Sequence, residues 1–143
     1  MSDLNQLLSS LTLSGPCATR VSGASLAAAG ASRGYGVYRI DLTRVAAKDE
    51  LMDRMQRALR FPEWFGRNWD ALEDCLTDMS WHEDVGYVLL FDGGGDLRRR
   101  EGALFHTLVD VLKAAADYWR GAERPFWAFF LDVPPDAALP SFP

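Results

Sequence analysis

Two nearly continuous apolar runs constrain this chain more than anything else in it: Val85-Gly86-Tyr87-Val88-Leu89-Leu90-Phe91 and Phe126-Trp127-Ala128-Phe129-Phe130-Leu131. A strand with one wet face alternates apolar and polar residues, so an unbroken run predicts a strand covered on both sides. The segment between the two runs is too long for a hairpin. Asp96 to Arg120 reads as one long helix, with Leu97, Leu104, Leu108, Val111, Leu112 and Ala115 on one side. Two covered strands joined by a helical crossover imply a parallel sheet with helices packed on it.

Upstream, Val37-Tyr38-Arg39-Ile40-Asp41-Leu42 alternates and is rich in β-branched and aromatic residues, which predicts a further strand. From Lys48 the spacing becomes helical, with Leu51, Met52, Met55, Ala58 and Leu59 on one face, and Pro62 stops that helix by about Arg60. Asn68 is a good N-cap for a second helix, Trp69 to about Met79. A run of small residues from Ser22 to Arg33 reads as a short helix weakened by Gly30. The order is β-α-α-β-α-β with an α or βα addition in front. The expected fold class is α/β: a small parallel β-sheet of three strands, or four, flanked by α-helices. Residues 1–18 are polar and scattered with Ser, Thr, Gly and Pro, and are expected to form a flexible N-terminal segment. Residues 19–133 then form a single domain, 19–35 being its N-terminal extension, and 134–143 a Pro-rich tail.

Bulk properties narrow the function. The chain has 143 residues and a formal net charge of −5. That balance argues against direct nucleic-acid binding, because phosphate backbones reward clustered Lys and Arg. Cys17 and Cys75 are the two cysteines, with no CxxC or Cys/His cluster, so neither structural zinc nor a disulfide framework is expected. The stretch Met1 to Leu13 carries Asp3, no basic region and no long apolar run, unlike a signal peptide, and nothing matches a membrane span. The expectation is a cytoplasmic protein, monomeric when free, without a cofactor or membrane contact.

The stretch with most functional content runs from Phe61 to Asp78. Taking Asp70 as zero and about 100° per residue, Asp74 falls near about 40°, Asp78 near about 80° and Glu73 near about 300°. Leu72, Cys75, Leu76 and Met79 gather between about 140° and 240°. One face is apolar; the other bears four carboxylates, and no Lys or Arg occurs between Asn68 and Val85 to neutralise them. Like charges at i,i+4 cost an isolated helix a few tenths of a kcal/mol per pair. Such a face suits a partner rich in Arg, Lys and His⁺, as an active site that cleaves phosphodiesters is, with a carboxylate standing in for the scissile phosphate. Trp64, Phe65 and Trp69 add aromatic anchors of the kind found at interface hot spots, although Trp69 projects near the apolar edge and reads as core. An acidic outer face also occurs simply as a solvated surface, and a helix dipole favours Asp70 near an N-terminus in any case.

This segment resembles the barstar family of ribonuclease inhibitors. The likeness is carried by Phe61-Pro62-Glu63-Trp64-Phe65-Gly66, by Asn68, by Asp70-Ala71-Leu72 and by Asp74-Cys75-Leu76-Thr77. It covers roughly the last two thirds of the chain, and the element order from Val37 to Leu131 agrees with the family's parallel sheet and flanking helices. The resemblance implies an inhibitor of a basic ribonuclease, antitoxin-like or immunity-like in role, and not an enzyme. By that likeness Asp74 matches the carboxylate that enters the nuclease site, Asp70 a second acidic contact one turn earlier, and Trp64 the aromatic of the binding loop. With Glu73 and Asp78 these make the expected partner-binding set. Glu73 stands where the family's best-known member has a tryptophan, and Arg67 brings a positive charge into the loop. Asp117 is the nearest candidate for an acid that helps binding from the last helix.

Other constellations are weaker. Asp41, Asp92 and Asp132 each end a predicted strand, and three carboxylates at that sheet edge would suit Mg²⁺-dependent phosphoryl transfer. Asp is equally at home where strands turn into loops. Gly93-Gly94-Gly95 lacks the full phosphate-loop fingerprint, and Asp92 and Asp96 would repel phosphate. An acidic interaction module with a partner other than a nuclease is the remaining alternative.

Overall fold

The computed structural model describes residues 2–82 and 84–142. Four strands, β1 (Pro16–Ala18), β2 (Gly36–Asp41), β3 (Tyr87–Asp92) and β4 (Phe126–Phe130), lie parallel in the order β1-β4-β3-β2. The helices among the described residues are α1 (Ser2–Leu8), α2 (Gly23–Ser32), α3 (Lys48–Leu59), α4 (Trp69–Asp78), α5 (Gly94–Arg100) and α6 (Gly102–Gly121). None of them is long and apolar enough to cross a membrane.

The apolar runs are unbroken because β3 and β4 feed two cores at once. Tyr87, Leu89 and Phe91, with Phe126, Ala128 and Phe130, join the larger core beneath α3, α4, α5 and α6. Val88, Leu90, Trp127 and Phe129 point the other way, into a smaller core closed by Leu8, Leu26, Ala29 and Phe142. Val85 and Leu131 fall just outside the strands, and Val85 is exposed.

Residues 2–18 do not behave as the flexible segment their polarity suggests. Helix α1 lies against the sheet, Leu8 is buried, and the Leu8 carbonyl accepts a hydrogen bond from Trp127 Nε1 at 2.9 Å. Arg120 holds the following loop, donating to the Leu11 and Ser14 carbonyls at 2.8 and 2.7 Å. Strand β1 then completes the fourth position in the sheet. The reason is area: without these residues the Trp127 and Phe129 side of the sheet would face water, and burying an aromatic side chain is worth about 1.5–3 kcal/mol. The tail is drawn in likewise. Ala18 donates to the Pro140 carbonyl at 2.8 Å, Phe142 donates to the Ala18 carbonyl at 2.7 Å, and Leu139 and Phe142 are buried.

Gly30 also changes meaning. It weakens α2 as a helix, yet a Cβ there would stand 3.1 Å from Val37 Cγ2 and 3.2 Å from Val88 Cγ2. The missing side chain lets α2 lie close on the sheet.

The long helix expected from Asp96 to Arg120 is broken in two. Glu101 leaves helical geometry at φ −138° and ψ 66°, immediately before Gly102. The bend allows Leu97 and Phe105 both to be buried, and Arg98 to lie over the Phe105 ring with 6.0 Å to its centroid.

Candidate functional site

Helix α4 forms where Asn68 Oδ1 accepts from the Ala71 amide at 2.8 Å, satisfying one of the free donors of the first turn. It ends at Met79, which takes the left-handed conformation with φ 51°. Leu72, Cys75 and Leu76 are buried, and Trp69 is half-buried against the larger core. Burial, with the charges of Asp78 and Asp74 beside it, pushes the Cys75 thiol up to about 11, which suits a packed side chain rather than a nucleophile.

The four acidic side chains face outward. Asp70, Glu73, Asp74 and Asp78 are all exposed. Among the described residues, none of them takes part in an ion pair; the arginines bridge Asp92, Asp53, Asp136, Asp96 and Asp117 instead. Arg67, the cation of the preceding loop, turns away from the acidic face. Its guanidinium donates to Gln56 Oε1 at 3.0 Å and to the Asp49 carbonyl at 3.2 Å, on α3.

The loop before α4 folds on its own aromatics. Phe61 and Phe65 are buried with their rings 5.0 Å apart, and the Phe65 amide donates to the Pro62 carbonyl at 3.0 Å. Trp64 is thereby pushed out, 67% exposed, with its ring edge-on to Trp81 at 6.3 Å. Trp81 and His82 were not singled out as site residues by sequence reasoning. Both reach the Leu59 carbonyl at the end of α3, Trp81 Nε1 donating at 3.3 Å and His82 Nε2 lying 2.6 Å away. Nothing local marks that pairing, because it joins segments over twenty residues apart.

Asp117 does not join the acidic face. It pairs with Arg120 at 2.5 Å, and Arg120 faces the loop of residues 11–14. The strand-end aspartates are also held separately. Asp92 receives both Arg39 Nε at 2.7 Å and Nη2 at 3.0 Å. Asp41 accepts from the Thr43 amide at 2.9 Å, and Thr43 holds its carboxyl below the usual carboxylate range. Asp132 accepts from the Gly94 amide at 3.1 Å. Among the described residues, no group of three or more His, Cys, Asp or Glu is arranged to hold a metal ion.

A family model described as Barstar (barnase inhibitor) matches residues 35–131, which span β2 to the end of β4 and contain α4 and its loop. No curated protein matches the sequence. With the parallel sheet, the flanking helices and this match over more than half its length, the chain belongs to the Barstar (barnase inhibitor) family.

Proposed function

We propose that this protein inhibits a basic ribonuclease by placing the exposed face of α4 in the nuclease active site. The observation that carries the reading is the set of four carboxylates on α4, all exposed and without a cation of their own among the described residues. Asp74 projects between Asp70 and Asp78, so it is the carboxylate best placed to stand in for the scissile phosphate and receive the Arg, Lys and His⁺ that cleave RNA. Asp70 and Asp78 extend the charge one turn to either side, and Glu73 widens it. Trp64 supplies an exposed aromatic anchor beside them, able to exclude water from the charge pairs. The negative face also accelerates encounter with a cationic nuclease, which suits an antitoxin-like inhibitor that must act before RNA is cut.

The test is inhibition of barnase and other basic ribonucleases by the full chain and by Asp74→Ala. The expected result is nanomolar or tighter inhibition by the wild type, and a loss of roughly 2–5 kcal/mol of affinity in the variant, mainly through faster dissociation. A wild-type chain that leaves such nucleases uninhibited, or an Asp74→Ala chain that binds as well as its parent, overturns the reading.

A further inference from the structure

A cavity of about 320 Å³ opens where three separate pieces of chain meet: residues 12–17, one face of α6, and residues 140–142 of the tail. Ligand sites start at about this size, with volumes of about 300–1,000 Å³. The first and third pieces lie outside the residues 35–131 that match the family model, so this chain adds the cavity to the shared fold. Both added walls are held in place. A Cβ on Gly15 would stand 3.6 Å from Ala116 Cβ, and Arg120 donates to the Leu11 and Ser14 carbonyls. On the tail side, Ala18 donates to the Pro140 carbonyl and accepts from the Phe142 amide.

The floor is apolar: Pro16, Ala116 and Phe142 line the cavity and are buried. Its rim carries charge. Lys113, Asp117 and Arg120 line it from positions i, i+4 and i+7 of α6, one stripe of that helix. Arg120 is committed to the fold, with Nε and Nη2 on the two carbonyls and Nη1 on Asp117 Oδ1, so the Arg120 and Asp117 charges cancel. Lys113 is exposed, and no ion pair among the described residues includes it. One uncompensated positive charge therefore stands over an apolar floor.

We propose that this cavity binds a small apolar monocarboxylate, its carboxylate on Lys113 Nζ and its hydrocarbon body against Pro16, Ala116 and Phe142. A single negative charge matches the single free cation. A phosphate monoester would bring a second charge beside Asp117 with no cation left to receive it, and an apolar amine would meet Lys113. Benzene fills an apolar cavity of roughly 150 Å³, so the body that fits here is at most about twice that size. The site is independent of the inhibitor reading, because no residue of α4 or of the loop before it lines the cavity.

The experiment titrates the full chain with octanoate by calorimetry. Saturable binding of one octanoate per chain is expected, with a Kd of about 1 mM or tighter. Affinity should rise from butanoate to octanoate by up to about fourfold per methylene, as each is buried on the floor. Octylamine should bind at least about tenfold more weakly than octanoate, since its charge repels Lys113. K113E should lose about tenfold and K113M, which keeps the apolar stem, about threefold. L13D places an acid on the opposite rim, where Leu13 is exposed, and should weaken octanoate as well. All three variants alter exposed side chains and should unfold at the wild-type temperature, and D74A should bind octanoate as the wild type does. Absence of saturable octanoate binding overturns the proposal. So does octylamine binding as tightly as octanoate, or octanoate binding to K113E and L13D within twofold of the wild type.

Discussion

The acids of α4 and those at the carboxyl end of the sheet have the same chemistry and opposite surroundings. At the sheet edge Asp92 is clamped by Arg39, Asp96 by Arg99 and Arg100, and Asp132 and Asp41 by backbone amides. Asp96 also accepts from the Arg44 amide at 3.0 Å, and the Arg100 guanidinium beside it brings its carboxyl down to about 2. On α4, Asp70, Glu73, Asp74 and Asp78 are all exposed, and no ion pair among the described residues includes them. Where a carboxylate serves the fold, the fold supplies its counter-charge. Where the fold withholds one, the carboxylate is free for a partner, at a small cost in repulsion.

Four outcomes would break or sharpen that contrast. The largest is the loss of ribonuclease affinity in Asp74→Ala, expected with no fall in thermal unfolding temperature; a matching fall in stability would mean that α4 needs this acid for folding. The second lies at the sheet edge. Gly93 has φ 75°, and a Cβ there would stand 2.5 Å from the Thr43 backbone nitrogen, so Gly93→Ala should cost about 2 kcal/mol or more in denaturant unfolding. Its affinity for the nuclease should be unchanged wherever it remains folded. The third is smaller and of opposite sign. Asp78 stands in the last turn of α4, where the helix dipole disfavours a negative charge, and Asp74 is one turn away. Asp78→Asn should therefore raise stability by a few tenths of a kcal/mol while lowering affinity.

The last outcome concerns pH. The carboxyl of Asp96 is held at about 2 in the folded chain against an unfolded value near 3.8. Its folded pKa is depressed, so its contribution is present above the unfolded pKa and fades as pH falls from about 4 toward 2. In Asp96→Asn, the stability difference from wild type should be small and shrink across that window. A difference that grows on acidification would contradict the pairing.

Much of the fold was legible along the chain. The unbroken apolar runs predicted strands covered on both faces, and both faces are covered. The spacing from Leu51 to Leu59 and the Asn68 cap placed α3 and α4 within a residue or two. The errors share a cause. Polar composition suggested a loose N-terminus, but Leu8, Trp127 and Arg120 tie it down through contacts more than a hundred residues apart. Asp117 looked like a neighbour of the acidic helix, and rotation about α6 turns it toward residues 11–14 instead.

Periodicity and charge along one segment are local quantities, so the sequence alone determined which faces of α4 are apolar and acidic, and that no cation within that segment neutralises it. Whether an arginine from elsewhere reaches that face depends on how distant segments pack, and only the tertiary structure decided it. It sent Arg67 to α3, Arg39 to Asp92 and Arg120 to the N-terminal loop.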